Sequence, residues 1–210
     1  MTTVVIDHGR ANLFSLCHAL AHLGAPYAVS ADPVAIASAT RLFLPGVGAF
    51  GDVMAGLRER GQAGPLQEVA ARRVPMLGIC VGMQILFHRS EEFGFHPGLG
   101  LVPGEVRRLP DLAPGRRGMR VPNVGWRTLR PQAGDPFLGD LAPDTMAYFV
   151  HSYAVAPENP GDVAATIDFN GRDVVAAIHH GNILGFQFHP EKSGEAGMAL
   201  IRRFLDFSAN

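Results

Sequence analysis

The sequence predicts an α/β fold with an open, mixed but mostly parallel sheet and flanking helices. Over the first 90 residues, short apolar runs alternate with segments of helical periodicity. From about residue 99, short strand-like runs separated by Gly, Pro and Asn turns indicate an antiparallel extension of the same sheet in the C-terminal half. No segment has the composition of a linker, so residues 1–210 are expected to form one domain.

The first half of the chain alternates predicted strands with predicted helices. Strands connected by helices lie parallel, in a sheet that is covered on both faces. The carboxyl ends of neighbouring parallel strands therefore meet at one edge, where sites commonly form. The predicted strands are 3–7, 26–30, 41–46 and 75–79, and the predicted helices are 11–23, 50–60, 64–73 and 81–90.

The second half contains shorter strand-like runs. It ends in an amphipathic segment, 194–208, which is expected to be a helix that packs on the core. Segment 111–120 is rich in Pro, Gly and Arg and is expected to be a mobile loop. The predicted strands are 100–109, 124–129, 145–155, 163–169, 174–180 and 183–189.

Composition and charge exclude several classes of function. The formal net charge is −1 and no polybasic run adjoins an amphipathic helix, so neither nucleic acid nor a membrane is an expected partner. Hydrophobic residues make up 47% of the chain, which is typical of a globular protein with a real core. The N-terminus has no charged leader before a long apolar segment, so we expect a cytoplasmic protein with Cys17 and Cys80 reduced.

The stretch LGICVGMQ places Cys80 between Gly78 and Gly82, after an apolar run and before a helical pattern. A residue on a sharp strand-to-helix turn projects its side chain from the end of the sheet, and its neighbours must be small. The helix N-terminus would favour the thiolate form. The pattern is typical of a nucleophile elbow, although a small buried core cysteine would fit the same letters.

A cysteine nucleophile needs a base and a group that orients the base. The segment His189-Pro190-Glu191 offers both, because Pro190 disfavours helix at His189 and residues two apart in extended chain point the same way. Glu191 could then fix the imidazole tautomer and stabilise its protonated form. The alternative is a solvated strand end, which an isolated H-P-E more often forms.

Acyl transfer also needs hydrogen-bond donors for an oxyanion. The backbone N–H of Val81, the residue after the cysteine, is one candidate. A second is the glycine-bearing segment LPGVGAFGD (44–52), which follows a predicted strand. This segment could instead be an ordinary Gly-rich turn, but it lacks the lysine and hydroxyl of a phosphate-binding P-loop.

Together these motifs resemble the class I glutamine amidotransferases, whose triad is Cys, His and Glu in that chain order. GICVGMQ and FQFHPEKS carry the resemblance to the family. Further segments are similar to one branch, the glutaminase subunits of histidine biosynthesis, and they cover nearly the whole chain in the right order. The family resemblance implies a flavodoxin-like fold. The further segments are DHGRANLFS (7–15), LPGVGAF (44–50), VPNVGW (121–126) and YFVHSYA (148–154).

The resemblance implies that the substrate is glutamine. Cys80 would attack its carboxamide carbon, His189 would pass a proton to the leaving ammonia, and the thioester would then be hydrolysed. Neither a metal nor another cofactor is implied. The residues implied to bind glutamine or to lie beside the oxyanion are Gly46, Val47, Gly48, Val81, Gln84, Glu92, His151, Ser152 and Tyr153.

The resemblance also implies a heterodimer with a (β/α)₈-barrel cyclase that receives the ammonia. Lys192, the only lysine among 18 Lys and Arg residues, is implied to reach an acidic residue of the cyclase. His8 replaces the usual tyrosine of the family and Asn123 its usual histidine, both in segments expected to face the partner. The residues expected at the interface are Asn12, Asn123, Trp126 and Lys192.

Alternatives remain open at this point. The chain could be a glutaminase subunit for anthranilate or pyridoxal phosphate synthesis, although PGVGAF argues against both. It could also be a catalytically silent scaffold that regulates a partner, although the intact Cys80, His189 and Glu191 argue against that. His18 and His22 share a helix face without a third ligand at a suggestive spacing, so no metal site is expected.

Overall fold

A computed structural model of the protein describes residues 2–112 and 118–208. The middle of the segment predicted to be a mobile loop, residues 113–117, lies outside the described residues. Within the two described ranges, no helix is long and apolar enough to cross a membrane.

The described residues follow the predicted alternation of strands and helices. In chain order the strands are β1 (Thr3–Ile6), β2 (Ala28–Ser30), β3 (Arg41–Gly46), β4 (Met76–Cys80), β5 (Phe87–Ser90), β6 (His96–Pro97), β7 (Val102–Arg108), β8 (Asn123–Thr128), β9 (Arg130–Pro131), β10 (Met146–His151), β11 (Tyr153–Pro157), β12 (Val163–Phe169), β13 (Arg172–His180) and β14 (Ile183–Phe186). The helices are α1 (Leu13–His22), α2 (Pro33–Ala37), α3 (Phe50–Glu59), α4 (Ala63–Ala71), α5 (Val81–Gln84) and α6 (Gly194–Asp206), with short 3₁₀ turns at Pro160–Asp162 and Pro190–Lys192.

The central sheet runs in the order β2-β1-β3-β4-β14-β13-β12-β9. The first five of these strands are mutually parallel, and the last three extend the sheet in antiparallel fashion. Every residue of β1, β3, β4 and β14 is buried, as expected for strands covered on both faces. The predicted α/β fold, with its mostly parallel sheet and antiparallel extension, is therefore confirmed.

The neighbouring strands β3, β4 and β14 position the candidate site. Their carboxyl ends lie at one edge of the sheet, since all three run in the same direction. Strand β3 ends in the first two residues of Pro-Gly-Val-Gly (45–48), β4 ends at Cys80 of the elbow, and the HPE segment follows β14. The topology thus brings together three motifs that are far apart in the chain.

Some predicted strands pair outside the central sheet. The runs 100–109, 124–129 and 145–155 were expected to extend it. Instead, β11, β7, β5 and β6 form a four-stranded sheet in that order, and β8 pairs with β10 alone. Their alternating patterns favour strands but do not select the pairing partner, because strand pairing depends on tertiary contacts.

The helix expected over 81–90 is shorter than predicted. Helix α5 ends at Gln84, and Phe87 begins strand β5. Phe87 is buried, His88 and Arg89 are exposed, and β5 pairs in parallel with β7. Pairing with a distant strand therefore overrides the local helical pattern.

One helix was missed by the sequence prediction. Helix α2 begins at Pro33, and the Asp32 side chain caps it by accepting a 2.9 Å hydrogen bond from the N–H of Val34. An Asp cap followed by Pro at the first helical position is a recognisable start signal. The pair Asp32-Pro33 could have located this helix.

Candidate active site

Cys80 occupies a strained strand-to-helix turn, as expected for a nucleophile elbow. Its φ of 55° and ψ of −115° lie in a region that residues with a side chain rarely adopt. A Cβ at Gly82 would overlap the carbonyl oxygen of Leu44, and one at Gly78 would lie 2.7 Å from Met83 Cα. The glycines on either side are required because helix α5 packs directly on strands β3 and β4.

His189 and Glu191 form a buried hydrogen-bonded pair. His189 Nδ1 lies 2.9 Å from Glu191 Oε1, and their side chains are 6% and 4% exposed. The backbone of His189 is extended, but Pro190–Lys192 is a 3₁₀ turn, so the side chains converge through a turn and not along a straight strand. The alternative of a solvated strand end is wrong for this segment, because both side chains are buried.

The imidazole of His189 also lies beside the Cys80 thiol, since both side chains line the same pocket. Burial by itself lowers the pKa of His189, but the hydrogen bonds with Cys80 and Glu191 and the charges of both groups raise it to about 9. The raised pKa favours the protonated imidazolium form of His189 at neutral pH, beside the sulfur of Cys80 and the carboxylate of Glu191. In this state His189 can donate a proton to a leaving group.

A pocket of about 280 Å³ opens beside Cys80 and His189. Most of the residues that the sequence implied for glutamine or the oxyanion line it: Val47, Gly48, Val81, Gln84, Glu92, His151, Ser152 and Tyr153. Pro122 and Val150 also line this pocket and were not predicted. Gly46 lies outside this pocket, next to a second cavity.

Glu92 offers a carboxylate at the wall of the pocket. Its Oε2 accepts a 2.7 Å hydrogen bond from the N–H of Phe50, at the start of helix α3. Burial raises the pKa of Glu92, partly offset by that hydrogen bond. The adjacent Glu91 is used elsewhere, since its Oε1 accepts from the N–H of Arg108 at 3.0 Å. Glu92 is therefore the better placed of the two to receive a substrate ammonium.

His151, in the pocket wall, is held in one neutral tautomer. Its Nδ1 lies 2.9 Å from the carbonyl oxygen of Tyr153 and its Nε2 lies 2.9 Å from Asn123 Nδ2. A carbonyl only accepts and an amide NH₂ only donates, so the proton is on Nδ1. Burial lowers the pKa of His151 to about 4.

The placement of His8 and Asn123 corrects the sequence interpretation. Both were expected to face a partner, but His8 is 0% exposed and Asn123 is 1% exposed. Asn123 supports His151, and His8 contacts the turn after β3. Their side chains belong to the interior because strands and turns from other parts of the chain cover them.

Gln187 is a site residue that the sequence analysis did not assign. Its Nε2 lies 3.8 Å from Cys80 Sγ, on the buried side of the nucleophile. Its Oε1 accepts a 3.0 Å hydrogen bond from Gln84 Nε2, which also donates to the carbonyl oxygen of Tyr153 at 3.0 Å. Gln187 stands two residues before His189, a spacing that could have indicated a shared direction in extended chain.

The PGVG turn, residues 45–48, has its central N–H engaged away from the pocket. The N–H of Val47 donates a 3.1 Å hydrogen bond to the carbonyl oxygen of Arg10. Gly48 has a φ of +96°, a conformation that favours glycine. In this orientation Val47 does not supply an oxyanion donor.

A second, small cavity lies on the other side of the turn. Its volume is about 20 Å³, and its lining includes Gly46, Glu191 and the exposed residues Asn12 and Lys192. Trp126 is also exposed, at 47%, and packs edge-on against Tyr148. Asn12, Trp126 and Lys192 are thus accessible, as the expected interface requires.

Comparisons with known proteins agree with this site. The family model described as glutamine amidotransferase class-I matches residues 4–207. The imidazole glycerol phosphate synthase subunit HisH of Moorella thermoacetica is 45% identical over 201 residues, covering 95% of this chain and 92% of that protein. The subunit of the same name from Symbiobacterium thermophilum is 44% identical over 198 residues, covering 94% and 90%. A crystal structure of a glutamine amidotransferase has a TM-score of 0.73 at 19% identity, covering 97% of each chain, and shows the same fold.

Proposed function

The chain belongs to the class I glutamine amidotransferase family. We infer that it is the glutaminase subunit of an imidazole glycerol phosphate synthase, an enzyme of histidine biosynthesis. It releases ammonia from glutamine. The observation that carries this conclusion is the buried His189–Glu191 hydrogen bond with Cys80 and His189 lining one pocket. We further propose that residues 1–210 act as one glutaminase domain in the cytoplasm.

We propose Cys80 as the nucleophile and His189 as the proton carrier. The sulfur bonds to the carboxamide carbon of glutamine while the carbonyl electron pair moves to oxygen. As the tetrahedral species collapses, the C–N bond breaks and the His189 imidazolium gives its proton to the leaving ammonia. His189 then takes a proton from water, whose oxygen attacks the thioester. The C–S bond breaks, and glutamate and the thiol are released.

The pocket lining suits a free amino acid. Glutamine is zwitterionic, so its ammonium needs an acceptor and its carboxylate needs donors. We propose that Glu92 receives the ammonium and that the backbone at His151, Ser152 and Tyr153 holds the carboxylate. Gln84, which is fixed by Tyr153 and Gln187, would orient the substrate chain. The carboxamide would then reach Cys80 at the elbow.

The oxyanion donors are proposed to be the N–H groups of Val81 and Val47. Val81 follows the nucleophile, but the N–H of Val47 is bound to Arg10. A flip of the peptide between Gly46 and Val47 would release this N–H toward the pocket, and the adjacent glycines make such a flip cheap. The resting protein should therefore hydrolyse glutamine slowly.

The partner is proposed to be a (β/α)₈-barrel cyclase that binds over the second cavity. Asn12 and Lys192 flank this cavity, which shares Val47, His189 and Glu191 with the catalytic side. Free ammonia is mostly protonated at neutral pH and is then not a nucleophile, so it needs a dry passage to its acceptor. Docking at this cavity would place the cyclase next to the group that releases ammonia.

The proposed function is tested by glutamine hydrolysis under three conditions. These are the chain alone, the chain with the cyclase, and the complex with the phosphorylated ribulosyl aminoimidazole carboxamide ligand of the cyclase. We expect a low, intermediate and high rate in that order. A uniform rate would contradict activation by the partner even if the triad is correct. No glutamine hydrolysis in any condition would instead favour a silent scaffold.

A further inference from the structure

The imidazole of His8 bridges two turns of the active-site edge. His8 follows strand β1 and is fully buried. Its Nε2 lies 2.6 Å from the carbonyl oxygen of Pro45, the first residue of the PGVG turn. Its Nδ1 lies 3.2 Å from the backbone nitrogen of Arg10. One ring therefore contacts both the PGVG turn and the segment that follows β1.

These contacts define the protonation of His8. The carbonyl of Pro45 can only accept, so Nε2 must carry a hydrogen; the N–H of Arg10 donates, so Nδ1 must be unprotonated. Only the neutral ring with its hydrogen on Nε2 satisfies both. Burial lowers the pKa of His8, which favours this neutral form.

The bridge closes a ring of hydrogen bonds around the Val47 peptide. The N–H of Val47 donates to the carbonyl oxygen of Arg10 at 3.1 Å. The N–H of the same Arg10 donates to His8, and His8 donates to Pro45, two residues before Val47. The His8 side chain is therefore hydrogen-bonded both to Arg10, whose carbonyl accepts from Val47, and to Pro45, the first residue of the PGVG turn.

The two sides of the ring differ in freedom. His8 is fully buried, and at the Pro45 end of the turn a Cβ at Gly46 would lie 2.7 Å from the backbone nitrogen of Gly82. By contrast, Val47 is 39% exposed and a Cβ at Gly48 would meet no atom within 4 Å. The freedom of the PGVG turn therefore lies at Val47 and Gly48, and His8 anchors its Pro45 end.

We propose that His8 is a positioning residue that holds the PGVG turn in its resting orientation and so limits glutamine hydrolysis before a partner binds. This inference rests on the proposed function of the site. His8 touches no reacting atom and acts through Pro45 and Arg10. Without it, the Val47 peptide would reach the oxyanion orientation more often.

The test compares His8→Phe with the unmodified protein, both without a partner. Phenylalanine keeps a ring in the buried site but removes both hydrogen bonds, so the resting kcat should rise about tenfold, which corresponds to about 1.4 kcal/mol. The KM for glutamine should stay unchanged, because the Glu92 side of the pocket is untouched. The factor by which cyclase and its ligand activate the enzyme should shrink by the same amount.

Gln62→Leu is the matched control. Gln62 is also fully buried and also makes two hydrogen bonds, to the carbonyl oxygens of Asp7 and Ala31, but it does not contact the PGVG turn. Its resting kcat should match that of the unmodified protein. An equal rise in both variants would mean general loosening of the fold and would overturn the role of His8.

His8→Tyr keeps the inference testable if His8→Phe does not fold. A tyrosine hydroxyl can donate to Pro45, but the ring has no nitrogen to accept from Arg10, so a severalfold rise is expected. An unchanged or lower resting kcat overturns the inference. Failure of the proposed function would look different from failure of this inference: the unmodified complex would then show no glutamine hydrolysis that depends on Cys80.

Discussion

Gln187 Nε2 lies 3.8 Å from Cys80 Sγ, so a fully buried amide side chain donates to the sulfur of the proposed nucleophile. The direction of the Gln187 amide is set by Gln84, which donates to its oxygen. An N–H group aimed at sulfur stabilises the thiolate relative to the thiol. The reactivity of Cys80 should therefore depend on a residue that never touches the substrate.

Gln187→Leu should reduce the reactivity of Cys80. Leucine removes the amide donor while keeping a buried side chain of similar bulk. We expect iodoacetamide to alkylate Cys80 more slowly at neutral pH. Peptide mass spectrometry gives the rates, and Cys17, on helix α1, is the internal control whose rate should not change. Unchanged alkylation of Cys80 would show that the N–H···S contact is only structural.

Cys80→Ala should abolish glutamine hydrolysis, because it removes the nucleophile with little change in volume. The complex of this variant with the cyclase should still use added ammonium salt. An electrophilic glutamine analogue should label Cys80 in the unmodified protein and leave Cys17 unlabelled. Substantial turnover of glutamine by Cys80→Ala would exclude Cys80 as the nucleophile.

His189→Ala and Glu191→Gln should differ in severity. Loss of the proton carrier should lower kcat by about 10²–10⁴-fold. Glu191→Gln should cost less, because an imidazole that has lost only its orienting carboxylate still transfers protons. Steady-state kinetics of both variants in the activated complex provide the comparison. Equal and mild losses would argue against a triad.

Acid should destabilise the fold through its buried neutral histidines. Burial lowers the pKa of His151 to about 4 and also lowers that of His8. The unfolded chain takes up these protons near pH 6.5, so each ring's contribution is present above that pH and is lost as the pH falls toward the folded pKa. For His151 the free energy of unfolding should fall by roughly 1 kcal/mol per pH unit as the pH falls from 6.5 to about 4, and His8 should add to the fall in the same direction.

Urea unfolding at pH 7, 5.5 and 4.5 measures this dependence. His8→Phe should show a shallower fall with acidification than the unmodified protein, since it lacks one of the two rings. Identical slopes in the two proteins would refute the contribution of His8.

Lys192→Ala should weaken the response to the cyclase ligand without changing the geometry at Cys80. Lys192 is exposed beside the second cavity, where an acidic partner residue could pair with it. An accessible ion pair is worth up to about 1 kcal/mol, so the stimulated rate or the affinity should fall by about fivefold. Arg202→Ala, an exposed cation on helix α6 that lines neither cavity, should have no effect.

Much of the site could be predicted because its motifs are local. The glycines around Cys80 reflect a turn in which a Cβ would collide with the backbone, and such a constraint is visible in neighbouring letters. The alternation of strands and helices predicted a parallel sheet, and parallel neighbours bring the elbow, the PGVG turn and the HPE segment to one edge. The length of single elements was harder to predict. Helix α5 is shorter than its local pattern indicates, because the following residues form β5 and pair with the distant strand β7.

By itself, the sequence determined the order of the elements and singled out Cys80, His189 and Glu191 as the proposed triad, since periodicity and local motifs are visible in the sequence. Only the tertiary structure decided which side chains face inward and which donors are free. His8 is covered by the turn after β3, and the N–H of Val47 is occupied by another segment. Burial and hydrogen-bond partnership are relations between parts of the chain that folding brings together, so no local pattern contains them.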